Sequence, residues 1–183
     1  MYRIMQIDAI NPPQVLLDTD AIAPPPEGVL RWIDLGRQHD EELALLGQRF
    51  NFHPLTIEDC ANFNQRPKYE NYDGYLFIVM HGFEFGPQPE EALEAHELHS
   101  FLGKNFLVTV HDESIGPLNA VWDRLLTDPT TARRGVDFIR YLIADAMADA
   151  LFPLVDQLAN QVEEIEDALL AHAAGESALE EIL

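Results

Sequence analysis

Cysteine occurs once in the 183 residues, at position 60, so no internal disulfide forms and no cysteine-based zinc cage is available. A chain so poor in cysteine fits a reducing compartment such as the cytoplasm. Basic residues are scarce too: 11 Lys and Arg stand against 32 Asp and Glu, a formal net charge of −21. A surface this negative repels phosphate backbones and anionic lipid, which disfavours nucleic acid as a partner, and it attracts cations. No stretch reaches the ~20 apolar residues of a membrane span. The N-terminal MYRIMQIDAI also lacks the apolar run of a signal peptide. A nucleophile elbow, a glycine-rich phosphate loop and an HExxH pair are all missing. What is abundant is apolar: 47% of residues are hydrophobic, which supports a packed domain rather than disorder.

Patterning divides the chain in two. YRIMQI (2–7) and VLRWIDL (29–35) are rich in β-formers and flank a Pro-Gly loop, APPPEG. DEELALLGQRF (40–50) has helical spacing at Leu43, Leu46 and Phe50. In FHPLTIEDCANFNQRPK, Pro54 suits the first helical position, His53 the cap, and Leu55, Ile57 and Cys60 the inner face. Glu58 and Asp59 are then expected in the early turns, where the helix dipole favours carboxylates. GYLFIVMHGFEF (74–85) reads as a strand apolar on both faces, and FLVTV (106–110) is similar, so helices are expected on both sides of the sheet. GPQPEEALEA joins them as a polar connection, and GKN (103–105) reads as a turn pairing ELHSFL with FLVTV. PLNAVWDRLL reads as one helix and 136–172 as a longer one. Leu151, Leu154, Leu158, Val162, Ile165 and Leu169 step along it by three or four, a coiled-coil-like seam. Pro153 is expected to kink it, AHAAGE to end it, and Ser177 with Glu180 to cap a returning helix. From Tyr141 onward there are ten acids and no Lys or Arg. The expected division is 1–134, an α/β/α domain, and 135–183, a long acidic helix with the start of the returning one.

Three kinds of chemistry compete. His53, Glu58 and Asp59 are candidate acid–base groups for a soluble acidic enzyme, but adjacent helical residues point about 100° apart and do not converge. His96 and His99 are candidate metal ligands with His81 and His111, but residues three apart on a strand face opposite sides. Carboxylates suit hard cations such as Mg²⁺, which keeps several waters and is held by few protein groups. Glu84, Glu90 and Glu91 at a strand end and loop, and Glu163 with Asp167 four apart on the long helix, are therefore candidates for weak divalent-cation binding. No cofactor is required by any of these readings.

FHPLTIEDCANFNQRPKYENYDGYLFIV, HELHSFLGKNFLVTVHDE and DFIRYLIADAMADALFPLVDQLANQVEEIEDALL together resemble the CorA/ZntB family of divalent-cation channels and transporters. The resemblance runs from about Trp32 to Leu170. It implies a cytoplasmic three-layer α/β/α domain with a mixed, mostly buried sheet, followed by a pair of long acidic helices. A stalk, two membrane helices and a Gly-Met-Asn motif would lie beyond this chain. It further implies a homopentamer at the cytoplasmic side of the cell membrane, carrying Mg²⁺ and Co²⁺ or, in a ZntB-like protein, Zn²⁺. Neither His53–Asp59 nor Arg66-Pro67-Lys68 is a transport ligand on this reading, and no catalysis is expected. The family's metal-sensing strand-end carboxylate falls on Gly86 here, with Glu84 the nearest carboxylate.

Overall fold

A computed structural model describes residues 2–36, 40–85, 93–111 and 115–180; the side chains of 84, 85, 93, 94 and 171–180 lie outside that description. The strands are β1 (Tyr2–Ile7), β2 (Gln14–Leu16), β3 (Leu30–Gly36), β4 (Lys68–Tyr72), β5 (Tyr75–Phe85), β6 (Leu93–Gly103) and β7 (Phe106–His111). The helices are α1 (Asp40–Phe50), α2 (Pro54–Ala61), α3 (Gly116–Thr127), α4 (Pro129–Ala132), α5 (Val136–Asp149) and α6 (Leu151–Glu180).

All seven strands form one sheet in the order β2-β1-β3-β7-β6-β5-β4. Only β3 and β7 run parallel; the other pairs are antiparallel, so the sheet is mixed. Period-two alternation sorts its side chains into two cores. Met5, Ile7, Trp32, Leu98 and Leu107 pack under α3 and α5, against Trp122, Leu125, Ile139, Ile143 and Met147. Ile4, Ile33, Leu35, Phe77, Val79, Phe101 and Val108 pack under α1 and α2, against Leu43, Leu46 and Cys60. The result is the expected three-layer α/β/α body. Each fully buried Leu, Ile or Phe contributes roughly 1.5–3 kcal/mol.

Several local expectations are corrected. KYENY, to which the sequence pattern assigns no element, is an edge strand, β4, joined to β5 by a tight turn in which Gly74 adopts φ 85°. Its alternating polar residues have one side open, so it lacks an apolar run. β6 begins at Leu93, inside the stretch expected to be a connection. In α2 Cys60 and the half-buried Ile57 face the core as expected, Thr56 is buried beside them, and Leu55 is exposed. Thr56 is accommodated because its Oγ1 donates to the His53 carbonyl. Glu58 and Asp59 fall in the second half of this short helix, so the first-turn dipole argument does not apply to them.

The long helix is two helices. α5 ends at Ala150, and Pro153 then lies in the first turn of α6, where its missing N–H is no loss. The kink expected at Pro153 thus becomes a break one turn earlier. α5 supplies Val136, Ile139, Leu142, Ile143 and Met147 to the core, so the boundary expected at 134/135 falls inside the packed body. α6 is helical without a break through Glu180, so no returning helix starts within the described residues. A lone glycine in an alanine-rich stretch costs only about 1 kcal/mol, too little to end a helix by itself.

Candidate functional site

The residues singled out between Phe52 and Lys68 build a joint. His53 caps α2, its Nδ1 accepting from the Leu55 N–H at 3.2 Å. Its own N–H donates to the Tyr75 hydroxyl at 2.9 Å. Asp59 takes the Lys68 ammonium at 2.8 Å, and Lys68 also reaches Glu70 at 3.1 Å. Hydrogen bonding to Asp59 raises the Lys68 pKa further. The Tyr72 hydroxyl donates to Glu70 at 2.8 Å, which pushes the phenol up to about 12. Glu58 is exposed. His53, Glu58 and Asp59 are thus engaged separately, and no acid–base pair forms among them.

A cluster that the sequence reading missed lies one layer in. The buried Cys60 thiol is 3.3 Å from His99 Nδ1, and His99 Nε2 is 2.9 Å from a Glu97 oxygen. Glu97 also accepts the Gln65 N–H at 3.0 and 3.1 Å, and His81 Nε2 meets the Gln65 carbonyl at 2.9 Å. The signal was present: Glu97 and His99 are two apart on a strand and share a face, and register sets His81 opposite Glu97. A thiol, an imidazole and a carboxylate in line have the composition of a nucleophilic triad. Here burial, aided by the charge of Asp59, pushes the thiol pKa well above its ordinary value, so the reactive thiolate is withheld. Both ring nitrogens of His99 face protein partners, which removes it as a metal ligand. The relay fastens α2 and the 62–67 loop to the sheet. His96, as expected, lies on the opposite face, lining a small cavity with Gly82, Ile115, Pro117 and Met147.

A second network closes the carboxyl ends of the parallel pair. Asp34 on β3 takes Arg3 Nε at 2.8 Å and His111 Nε2 at 3.3 Å, and the Thr109 hydroxyl donates to it. Trp32 Nε1 donates to Thr109 at 2.9 Å, and Arg3 reaches Asn119 on α3 at 2.6 Å. Burial by itself would raise the Asp34 pKa. The hydrogen bond and charge of His111, then Arg3 and Thr109, outweigh it and hold the carboxyl below its usual value.

The carboxylate candidates are dispersed. Glu163 and Asp167 are exposed on α6. Glu84 is paired by backbone register with Glu94, but its side chain, and Glu90, Glu91 and Gly86 entirely, lie outside the described residues. Among the described residues no three His, Cys, Asp or Glu are gathered to hold a metal ion, and no helix is long and apolar enough to cross a membrane. α6 does carry a distinctive surface. Leu151, Val155, Leu158, Val162, Ile165 and Leu169 are spaced 4-3-4-3-4 and are 36% to 65% exposed. That 3.5-residue period is the seam of a helix that packs against another helix.

Residues 27–183 match the family described as CorA-like Mg²⁺ transporter protein. The chain is 39% identical over 137 residues to the Bacillus subtilis protein YfjQ, covering 75% of this chain and 41% of that one. It is 30% identical over 142 residues to the cobalt/magnesium transport protein CorA of Thermotoga maritima, covering 76% of this chain and 40% of the relative. The chain therefore spans about two-fifths of the length of these relatives. Among solved structures, the CorA magnesium transporter of Methanocaldococcus jannaschii superposes with a TM-score of 0.73 at 21% identity, over 93% of this chain and 51% of that one. The ZntB cytoplasmic domain of Vibrio parahaemolyticus superposes with 0.70 at 13% identity, over 89% and 64%. These two likenesses are of fold.

Proposed function

The chain belongs to the family of CorA-like Mg²⁺ transporter proteins, and from that premise we propose that it is the cytoplasmic regulatory portion of a divalent-cation transporter. Its work is to bias the opening of a pore carried elsewhere in the protein. It catalyses no reaction. The cation, Mg²⁺ or Co²⁺, is cargo and regulator rather than a resident cofactor. The assembly is a homopentamer on the cytoplasmic face of the cell membrane, joined to the bilayer only through the rest of the protein.

The observation that carries this reading is the pairing of a closed α/β/α body with a 30-residue helix whose apolar seam stays open. A rigid body that ends in a long arm is suited to passing a displacement to a neighbouring element. An enzyme would need convergent groups, and its best candidates, His53 and Asp59, are spent on a cap and an ion pair. The acidic surface supports the cation side of the reading, because it concentrates divalent ions near the domain.

The test is ion flux into liposomes reconstituted with the protein that carries this chain. Entry of Mg²⁺ and Co²⁺ supports the reading. Entry of Zn²⁺ alone would favour the ZntB-like alternative, and no flux of any divalent ion would refute both.

A further inference from the structure

Two buried arginines have no acid beside them among the described residues: Arg31, whose guanidinium is met by the Ala21 and Ala23 carbonyls and Gln6, and Arg140, which has no such oxygen partners. Arg140 lies on the sheet-facing side of α5 and is 6% exposed. Its Nη2 rests against Met80 Sδ, and its Nε meets no acceptor. Burial alone pushes the guanidinium pKa down to about 10, with no neighbouring charge contributing. A thioether is a weak acceptor and does not compensate a desolvated cation.

The surroundings show the side from which a partner would come. α5 lies chiefly against β3, β6 and β7, and it reaches β5 through Met147 at Gly82 and through Arg140 at Met80. Beyond Met80 the same face of the sheet continues to the β4 edge. There Leu76 and Ile78 are only half-buried, and register sets Tyr69 of β4 beside Ile78 on the same face. Tyr69 is 77% exposed. Ser100, opposite Ile78, has a buried hydroxyl that also meets no partner. This corner is apolar and half-covered, with an unpaired cation and an unused hydroxyl at its inner border.

We propose that this corner is a contact surface for a second copy of the chain, and that a carboxylate of that copy pairs with Arg140. Charge complementarity selects the occupant. The chain carries 32 Asp and Glu against 11 Lys and Arg, and α6 alone displays Asp156, Glu163, Glu164, Glu166 and Asp167, all exposed, with no Lys or Arg from Tyr141 onward. A second copy thus brings many carboxylates to a face that offers one buried cation. A paired guanidinium accounts for an arginine where a leucine would otherwise pack. The proposal rests on the reading of the chain as a subunit of a homo-oligomer.

The test is sedimentation equilibrium over a concentration series, with thermal unfolding at the dilute end. Arg140→Met keeps the length and removes the charge. It is expected to raise the melting temperature of the dilute chain and to weaken self-association at least about tenfold. Tyr69→Glu, at an exposed position, is expected to weaken association while leaving the dilute melting temperature unchanged; it keeps the test alive if Arg140→Met fails to fold. Association equal in the wild type and both variants overturns the proposal and leaves assembly through another face standing. A wild-type chain that stays monomeric to about 1 mM overturns it as well.

Discussion

Asp59 on α2 and Lys68 on β4 meet at 2.8 Å across the loop that separates them. This ion pair, rather than the helix dipole, ties the Glu58–Asp59 dipeptide into the fold. Asp59→Ala is expected to lower the unfolding free energy by about 0.5–1 kcal/mol, the range of a partly exposed pair. Glu58→Ala is expected to change it by less than about 0.5 kcal/mol. Urea denaturation checks both. Equal losses would contradict the assignment, and a hydrolytic activity abolished by either change would overturn the non-catalytic reading.

Cys60 is held as a neutral donor to His99 inside the body. Ellman's reagent is expected to leave it unlabelled in the native chain and to label it fully in denaturant. Cys60→Ala leaves His99 Nδ1 without its donor and is expected to cost roughly 1–3 kcal/mol. Cys60→Ser retains a donor and is expected to cost less. Rapid native labelling would show that the thiol is neither buried nor raised in pKa.

The broad fold was legible because its signals are local and repeated. The run at 75–80 is apolar at every position and that at 106–110 at all but Thr109, which demands cover on both faces, and the two cores supply it. β4 was hidden because an edge strand with one open face needs no apolar run, and KYENY has none. The break at Ala150 was masked by good helix formers on both sides and by Pro153, which is the stronger breaker on paper and is harmless in a first turn. The Cys60–His99–Glu97 relay joins residues 39 and two positions apart in sequence. Only the pairing of strand and helix across the core brings the thiol to the ring.

Asp34 makes the fold sensitive to acid. Its folded pKa is depressed, so its contribution is fully present above the unfolded value of about 3.9 and is lost as pH falls through the folded value. Asp34→Asn leaves Arg3 and His111 without their carboxylate, at an expected cost of roughly 3–5 kcal/mol near neutrality. The gap between wild type and variant is expected to narrow below about pH 4. Thermal unfolding across that range tests it. A gap independent of pH would show that Asp34 is not ionised in the native chain.

Divalent cations are expected to bind weakly and at several places, because Glu163 and Asp167 share one exposed face without a third ligand. Calorimetry at about 0.15 M salt is the check, since exposed charges are strongly screened there. Micromolar Mg²⁺ or Zn²⁺ binding at one site, lost on Glu84→Ala, would instead show a preformed sensor at the end of β5.

A domain that governs a pore makes the flux through that pore depend on the domain. The most direct measurement is Mg²⁺ flux through the reconstituted protein as Mg²⁺ on the domain side is raised, with and without residues 2–150. The intact protein is expected to slow as the ion accumulates, and the shortened one to keep conducting. Identical dependence in the two would contradict a regulatory role for the domain.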